Sequence, residues 1–223
     1  MSTELDYNTD ENAPRWQRRP DDRPTEILDA ALLLFSEQGF ARTKLEEVAK
    51  KAGVSKGTVY LYFESKDALF QAIVRTYVIE ALLQLREIVR QHTGTSEALL
   101  RHVMELLWTS MRNEGKARLS RLVHSELANF PELARFYFTE VVIPSREMVS
   151  EILTRGIQNG EFAPVNPDLV GRTICVTLLQ WASNQRYLKQ FDSVHFSDDE
   201  VFAGVSELLM RGLKTGAVRA QQD

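Results

Sequence analysis

Two serine–lysine pairs stand close together in the chain, Ser55-Lys56 and Ser65-Lys66. Serine is a strong N-cap residue, so each pair reads as the start of a helix. The first turn of a helix carries partial positive charge, and a lysine there costs roughly a few tenths of a kcal/mol. An anion at the same place reverses the sign, because the free backbone N–H groups, the helix end and the lysine then all attract it. The chemistry implied is phosphate binding. Lys56 and Lys66 are expected to mark two phosphate contacts, with Thr43, Tyr60 and Tyr62 donating further hydrogen bonds. Phosphate contacts set register, whereas base edges carry sequence. The residues expected to reach base edges are Lys56, Gly57 and Thr58 at the start of the helix opened by Ser55, together with Thr43. Gly57 inside a helix costs about 1 kcal/mol relative to Ala. Its presence makes sense where something approaches the backbone closely.

The elements that must hold these residues are helical. Ile27, Ala30, Ala31, Leu34 and Phe35 recur at i, i+3, i+4, i+7 and i+8, the stripe of an amphipathic helix. Pro24 suits its first turn and Gly39 its left-handed end. Thr43-Lys44-Leu45-Glu46 reads as a capping box opening a short helix through Lys51 that Gly53 ends. Two short helices around a Gly53-Val54 turn are the sequence shape of a helix-turn-helix. Val59 and Phe63, four residues apart, share one face and are expected to pack on Leu45 and Val48. Ser55, Lys56, Gly57, Thr58, Tyr60 and Tyr62 are left facing outward or sideways. From Ser65 to about Arg90 no Gly or Pro intervenes, which predicts a long connecting helix. Further helices are expected at about 96–112, 117–129, 131–159, 167–190 and 198–214, with Pro144 kinking or splitting the third of these near Ile143. No alternating strand pattern of useful length occurs. The fold class is all-α.

The stretch "ILDAALLLFSEQGFARTKLEEVAKKAGVSKGTVYLYFESKDALFQAIV" resembles the N-terminal DNA-binding domain of TetR-type transcriptional regulators. The resemblance covers residues 27–74. It rests on the Ala-rich first helix closing in F-x-x-x-G-F, the TKLEEVA block, A-G-V-S-K-G-T-V-Y-x-Y-F, and the K-x-x-L-F that follows. Arg42-Thr43 stands where the family often has two threonines, which makes Arg42 a further backbone contact, beside Lys44 and Ser55 in the same surface. The resemblance implies a homodimer on a roughly palindromic double-stranded operator, released when a small molecule binds. It implies a helix-turn-helix domain over residues 21–68 and a helical ligand-binding and dimerisation domain over 69–218, after a tail at 1–20. It also implies that the last two long helices pair across the dimer, with Val170, Ile174, Thr177, Leu178, Val201, Val205, Leu208 and Leu209 as interface candidates.

For the ligand, Met104, Trp108, Met111, Phe138, Met148, Cys175 and Trp181 are the pocket candidates, since flexible Met and broad aromatics suit apolar or aromatic molecules. His124 is a candidate polar contact. A same-fold DNA-binding protein acting through a protein partner, with no small-molecule inducer, is the alternative; a ligand-sized cavity separates the two.

Composition narrows the rest. A net charge of −4 makes any anion-binding surface a local patch. The single cysteine, Cys175, leaves no intramolecular disulfide, and the four histidines lack metal-ligand spacing, so no metal and no cofactor are expected. With no nucleophile motif, glycine-rich phosphate loop or convergent acid–base set, enzymatic activity is not expected. No uninterrupted apolar run of about 18 residues occurs, so no membrane partner is expected, and the reading is a soluble cytoplasmic protein. The N-terminal "PRWQRRPDDR" is rich in arginine, but Asp21 and Asp22 blunt its charge, and a solvated tail is expected there.

Overall fold

The computed structural model describes residues 23–187 and 189–214; the side chains of His124, Arg186, Tyr187 and Lys189 also lie outside that description. The arginines and aspartates of the N-terminal tail, Arg23 apart, fall outside it too. Among the described residues the fold is all-α, with no strand. Helices α1 (Arg23–Gln38), α2 (Leu45–Ala52), α3 (Lys56–Tyr62) and α4 (Lys66–Val74) form the N-terminal unit. Helices α5 (Glu80–Gln91), α6 (Ser96–Ser110), α7 (Glu114–Glu126), α8 (Pro131–Tyr137), α9 (Ile143–Gln158), α10 (Pro167–Tyr187) and α11 (Asp198–Leu213) follow.

The amphipathic stripe does what its spacing predicts. Ile27, Ala30, Ala31 and Phe35 are buried, and they meet Val48, Val59, Leu69 and Phe70 in one apolar core. Phe63 and Val54 pack at its margin. Gly53 closes α2 in the left-handed conformation, φ 69°, which only glycine enters without a Cβ penalty. This first core reaches past residue 68: Leu119 and Leu122 of α7, Leu133 of α8 and Val141 belong to it. A second core gathers Leu99, Val103, Met104 and Trp108 of α6 with Met148, Ile152, Ile174, Leu178 and Val201.

Both long helical runs are interrupted by a single π-turn. Residues 75–79 form one between α4 and α5, so Lys66–Gln91 is one continuous helical span. By length and composition that span is apolar enough to cross a bilayer. In the fold its residues Leu69, Phe70, Ile73, Val74 and Leu85 are buried in the two cores. The second π-turn, 138–142, precedes Pro144. A proline in mid-helix removes one hydrogen bond and presses on the carbonyl four residues back; widening the preceding turn lets the 131–158 run continue with an interruption where the sequence predicts one.

Candidate nucleic-acid interface and ligand cavity

The recognition surface is built by caps. Ser55 accepts a hydrogen bond from the Thr58 N–H at 3.0 Å and starts α3; Ser65 accepts from the Ala68 N–H at 3.0 Å and starts α4. Val59, wholly buried, anchors α3 to the core. Its other side chains are thereby turned outward. Lys56, Gly57, Tyr60 and Tyr62 are exposed, Thr58 is half-buried, and Arg42, Lys44 and Ser55 stand exposed beside them. An added Cβ on Gly57 would touch only Ser55 Oγ, at 3.7 Å. The backbone there is therefore open to a partner.

Lys56 is not idle. It pairs with Glu46 of α2 and lies 5.7 Å from the Tyr60 ring centroid. The hydrogen bond to Lys56 holds the Glu46 carboxyl below the usual carboxylate range, and Lys56 is raised in return. Both groups are solvent-exposed, so the pair is weak and exchangeable. If Lys56 contacts phosphate as the sequence predicts, the arriving anion competes with Glu46 for the ammonium. Removing Glu46 (Glu46→Gln) is therefore expected to tighten DNA binding several-fold, whereas Lys56→Ala or Tyr60→Ala weakens it about tenfold without loss of fold. A salt titration of binding by fluorescence anisotropy checks both; normal binding by Lys56→Ala and Tyr60→Ala removes the phosphate assignment.

Two expected contacts have other roles. Thr43 is 2 % exposed. Its hydroxyl donates to Gly39 O at 2.8 Å and accepts from Gln38 Nε2 at 3.3 Å, so it does not reach toward a base. The cap of α2 is accordingly shifted by one residue: the Lys44 N–H donates to the Glu47 carboxylate at 3.1 Å. That shift leaves Glu46 free to pair with Lys56. Lys66 is turned inward. Its Nζ donates to Phe40 O at 2.7 Å, Ala41 O at 3.0 Å and Thr43 O at 3.2 Å, over the Phe40 ring at 4.7 Å. An ammonium has three donors, and here all three are used. Lys66 locks the α1–α2 turn and has no donor left for phosphate. Arg42, by contrast, uses only its Nε among the described residues, toward Gln38 O at 2.7 Å.

The sequence reading passed over Leu61, which is 79 % exposed on α3. An apolar side chain there suits a thymine methyl. Its outward position follows once Val59 is known to face inward.

Between α5, α6, α7, α8, α9 and α10 lies a cavity of about 690 Å³, lined mostly by apolar side chains. Of the pocket candidates, Met111, Phe138 and Cys175 border it. Burial pushes the Cys175 thiol up to about 11, so it is an inert wall group at neutral pH. Met104, Trp108 and Met148 do not line it: they fill the second core. Trp181 is exposed off the cavity wall, and the His124 side chain lies outside the described residues. Leu82, Leu85, Leu106, Leu107, Leu119 and Val123 line it instead, ordinary aliphatic residues that no residue type singles out. Leu119 and Val123 of α7 face the cavity and also pack in the first core. Farther along α7, Glu126 approaches the α1–α2 turn, where its carboxylate lies 3.2 Å from the position of a Cβ on Gly39.

The interface candidates also divide. Ile174, Leu178 and Val201 are buried within this chain. They are core, because α10 packs on α6 and α9, and α11 on α6 and α10, through them. Val170, Thr177, Val205 and Leu209 are half-buried, and Leu208 is 73 % exposed.

The family model described as bacterial regulatory proteins, tetR family, matches residues 27–73, and that of the tetracyclin repressor-like C-terminal domain matches residues 90–187. The chain belongs to the TetR family. TetR-type helix-turn-helix residues and C-terminal cavity thus sit on one polypeptide of that family. Among its relatives, the regulator RutR of Escherichia coli strain K12 is 30 % identical over 161 residues, covering 72 % of this chain and 71 % of that protein. The fatty acid metabolism regulator protein of Bacillus subtilis strain 168 is 25 % identical over 202 residues, covering 88 % of this chain and 97 % of that protein. The solved structure of a transcriptional regulator FadR from Bacillus subtilis in complex with stearoyl-CoA aligns with a TM-score of 0.70 at 24 % identity, covering 85 % of this chain and 98 % of that one. Native NalD, the secondary repressor of the MexAB-OprM efflux pump of Pseudomonas aeruginosa, aligns with a TM-score of 0.72 at 24 % identity, over 88 % and 98 %. These relatives are transcriptional regulators, not enzymes.

Proposed function

We propose that this TetR-family regulator is a cytoplasmic repressor that binds a palindromic operator as a homodimer and leaves it when a largely apolar small molecule enters the cavity. The observation that carries the reading is the double contact of α7: Leu119 and Val123 form cavity wall on one side and helix-turn-helix core on the other. A ligand that displaces α7 changes the seat of α1, and with it the angle at which α3 is presented. A ligand-sized cavity also favours this reading over regulation through a protein partner alone. The names of two relatives, a fatty acid metabolism regulator and a regulator holding stearoyl-CoA, agree with an apolar ligand. The homodimer reading is supported by the outward face of α11, where Gly204 and Gly212, with nothing within 4 Å of an added Cβ, flank exposed Leu208.

Selection of bound fragments from the source genome by the purified protein, read by sequencing, tests the proposal. A pseudo-palindromic site bound by two copies is the expected result. No enriched site, from folded protein free of bound small molecules by mass spectrometry, overturns the proposal.

A further inference from the structure

The cavity wall has a polar inventory that its apolar surface hides. Lys116 of α7 and Arg146 of α9 line it, and no aspartate or glutamate does. Tyr137 lines it as well. Among the described residues neither Lys116 nor Arg146 is in an ion pair, and neither Lys116 Nζ nor the Tyr137 hydroxyl makes a hydrogen bond. Arg146 lies 5.5 Å from the Phe138 ring centroid, which orients its guanidinium without neutralising it. Lys116 stands in the first turn of α7, where its backbone N–H donates to the Asn113 side chain at 3.1 Å. Its charge is thus set against the helix end, and it is half-buried as well. Burial pushes its ammonium below the usual lysine range, with no acid to offset it. Burial alone likewise pushes the Tyr137 phenol up to about 12, so it stays a protonated donor.

These groups donate; none is a carboxylate. Each unfavourable feature of Lys116 is removed by the same visitor, an oxyanion, and the Tyr137 hydroxyl is a further donor on the same cavity wall. The surrounding aliphatic wall requires the rest of that visitor to be apolar.

We infer that the cavity is built for an apolar chain or ring system carrying an oxyanion head held by Lys116, with the Tyr137 hydroxyl and the Arg146 guanidinium as a further donor and cation on the same wall. This rests on the reading of the cavity as the ligand site of a regulator and names the class of ligand it takes. The head is the carboxylate of a free acid or a phosphate on a larger acyl conjugate, and a neutral analogue of equal apolar size lacks the feature the site selects.

The test uses the full-length protein and four probes in calorimetry: hexadecanoate, hexadecanoyl-CoA, hexadecan-1-ol, and operator DNA as a control for folding and function. The variants are Lys116→Met, which keeps the apolar stem, Tyr137→Phe and Arg146→Met. Hexadecanoate, hexadecanoyl-CoA or both should bind at least tenfold more tightly than the alcohol. Lys116→Met should erase that preference by lowering affinity for the anionic probe roughly 10- to 100-fold, the range for hydrogen bonds to charged groups, with the alcohol unchanged. Binding of the free acid assigns the head to a carboxylate, and binding of the acyl-CoA alone assigns it to phosphate. The inference is overturned if alcohol and acid bind equally, if Lys116→Met weakens both alike, or if no probe binds protein that still binds its operator. Loss of the regulator reading looks different: the unliganded parent then binds no genomic DNA, whatever the probes do.

Discussion

Lys66→Met is expected to melt about 5–10 °C below the parent chain, and its operator binding to fall while the salt dependence of that binding stays the same. The loss follows from the three carbonyls that Lys66 holds, at 2.7, 3.0 and 3.2 Å, in the turn between α1 and α2. A methionine covers the Phe40 ring but donates nothing, and the part-buried carbonyls lose a charged partner. Leaving buried polar groups unpaired costs about 1–3 kcal/mol each, less where water reaches them. A total of about 2–3 kcal/mol corresponds to roughly 5–10 °C for a chain of this size. The salt slope counts counterions released by cations on phosphate. Lys66 is not one of those cations, so the slope is that of the parent. A slope lower by about one unit with an unchanged melting temperature returns Lys66 to the phosphate surface. Lys56→Ala in the same experiment behaves the opposite way: it keeps the melting temperature and lowers the slope.

The two lysines show how far local sequence reaches. Ser55-Lys56 and Ser65-Lys66 have the same dipeptide, the same cap and the same place in a first turn. What separates them is tertiary. Helix α4 runs back under the α1–α2 turn and delivers Lys66 to carbonyls 23 to 26 residues upstream. Helix α3 is anchored by the buried Val59, so Lys56 faces outward, where it meets Glu46, the Tyr60 ring and solvent. The helices, the glycine turn, an interruption near Pro144 and the inward face of α3 were legible because each depends on residues within a turn or two of one another; that the interruption takes the form of a π-turn was not. The cavity was not. Residue type pointed to Met and aromatic side chains, yet Met104, Trp108 and Met148 occupy well-packed core. The walls are aliphatic residues on several helices, and space between helices has no signature in any one of them. The cation at its margin was legible in principle, since Lys116 repeats the pattern that drew attention to Lys56: a lysine in a first turn.

Leu208→Asp is expected to convert the protein to a folded monomer and to abolish tight operator binding. On α11, Leu208 is 73 % exposed, and Gly204 and Gly212 one turn away on either side leave room for another helix to approach closely. On α10 the outward apolar residues are Leu169 and Val176, each more than half exposed, with Trp181. In a two-fold assembly each substitution acts twice. Losing a buried leucine costs about 1.5–3 kcal/mol per copy before the cost of burying a carboxylate is added. The dimer is then weaker by about a thousandfold or more, since every 1.4 kcal/mol is about tenfold. Because Leu208 makes no core contact, the monomer keeps its helicity and most of its thermal stability. Ile174→Asp supplies the contrast. Ile174 is wholly buried in the second core, so its substitution unfolds the C-terminal helices instead of separating two copies. Sedimentation with parallel circular dichroism reads both outcomes. A Leu208→Asp chain that remains a dimer moves the interface off α11, and the same chain monomeric yet still tight on a palindromic site means that each half-site is read independently.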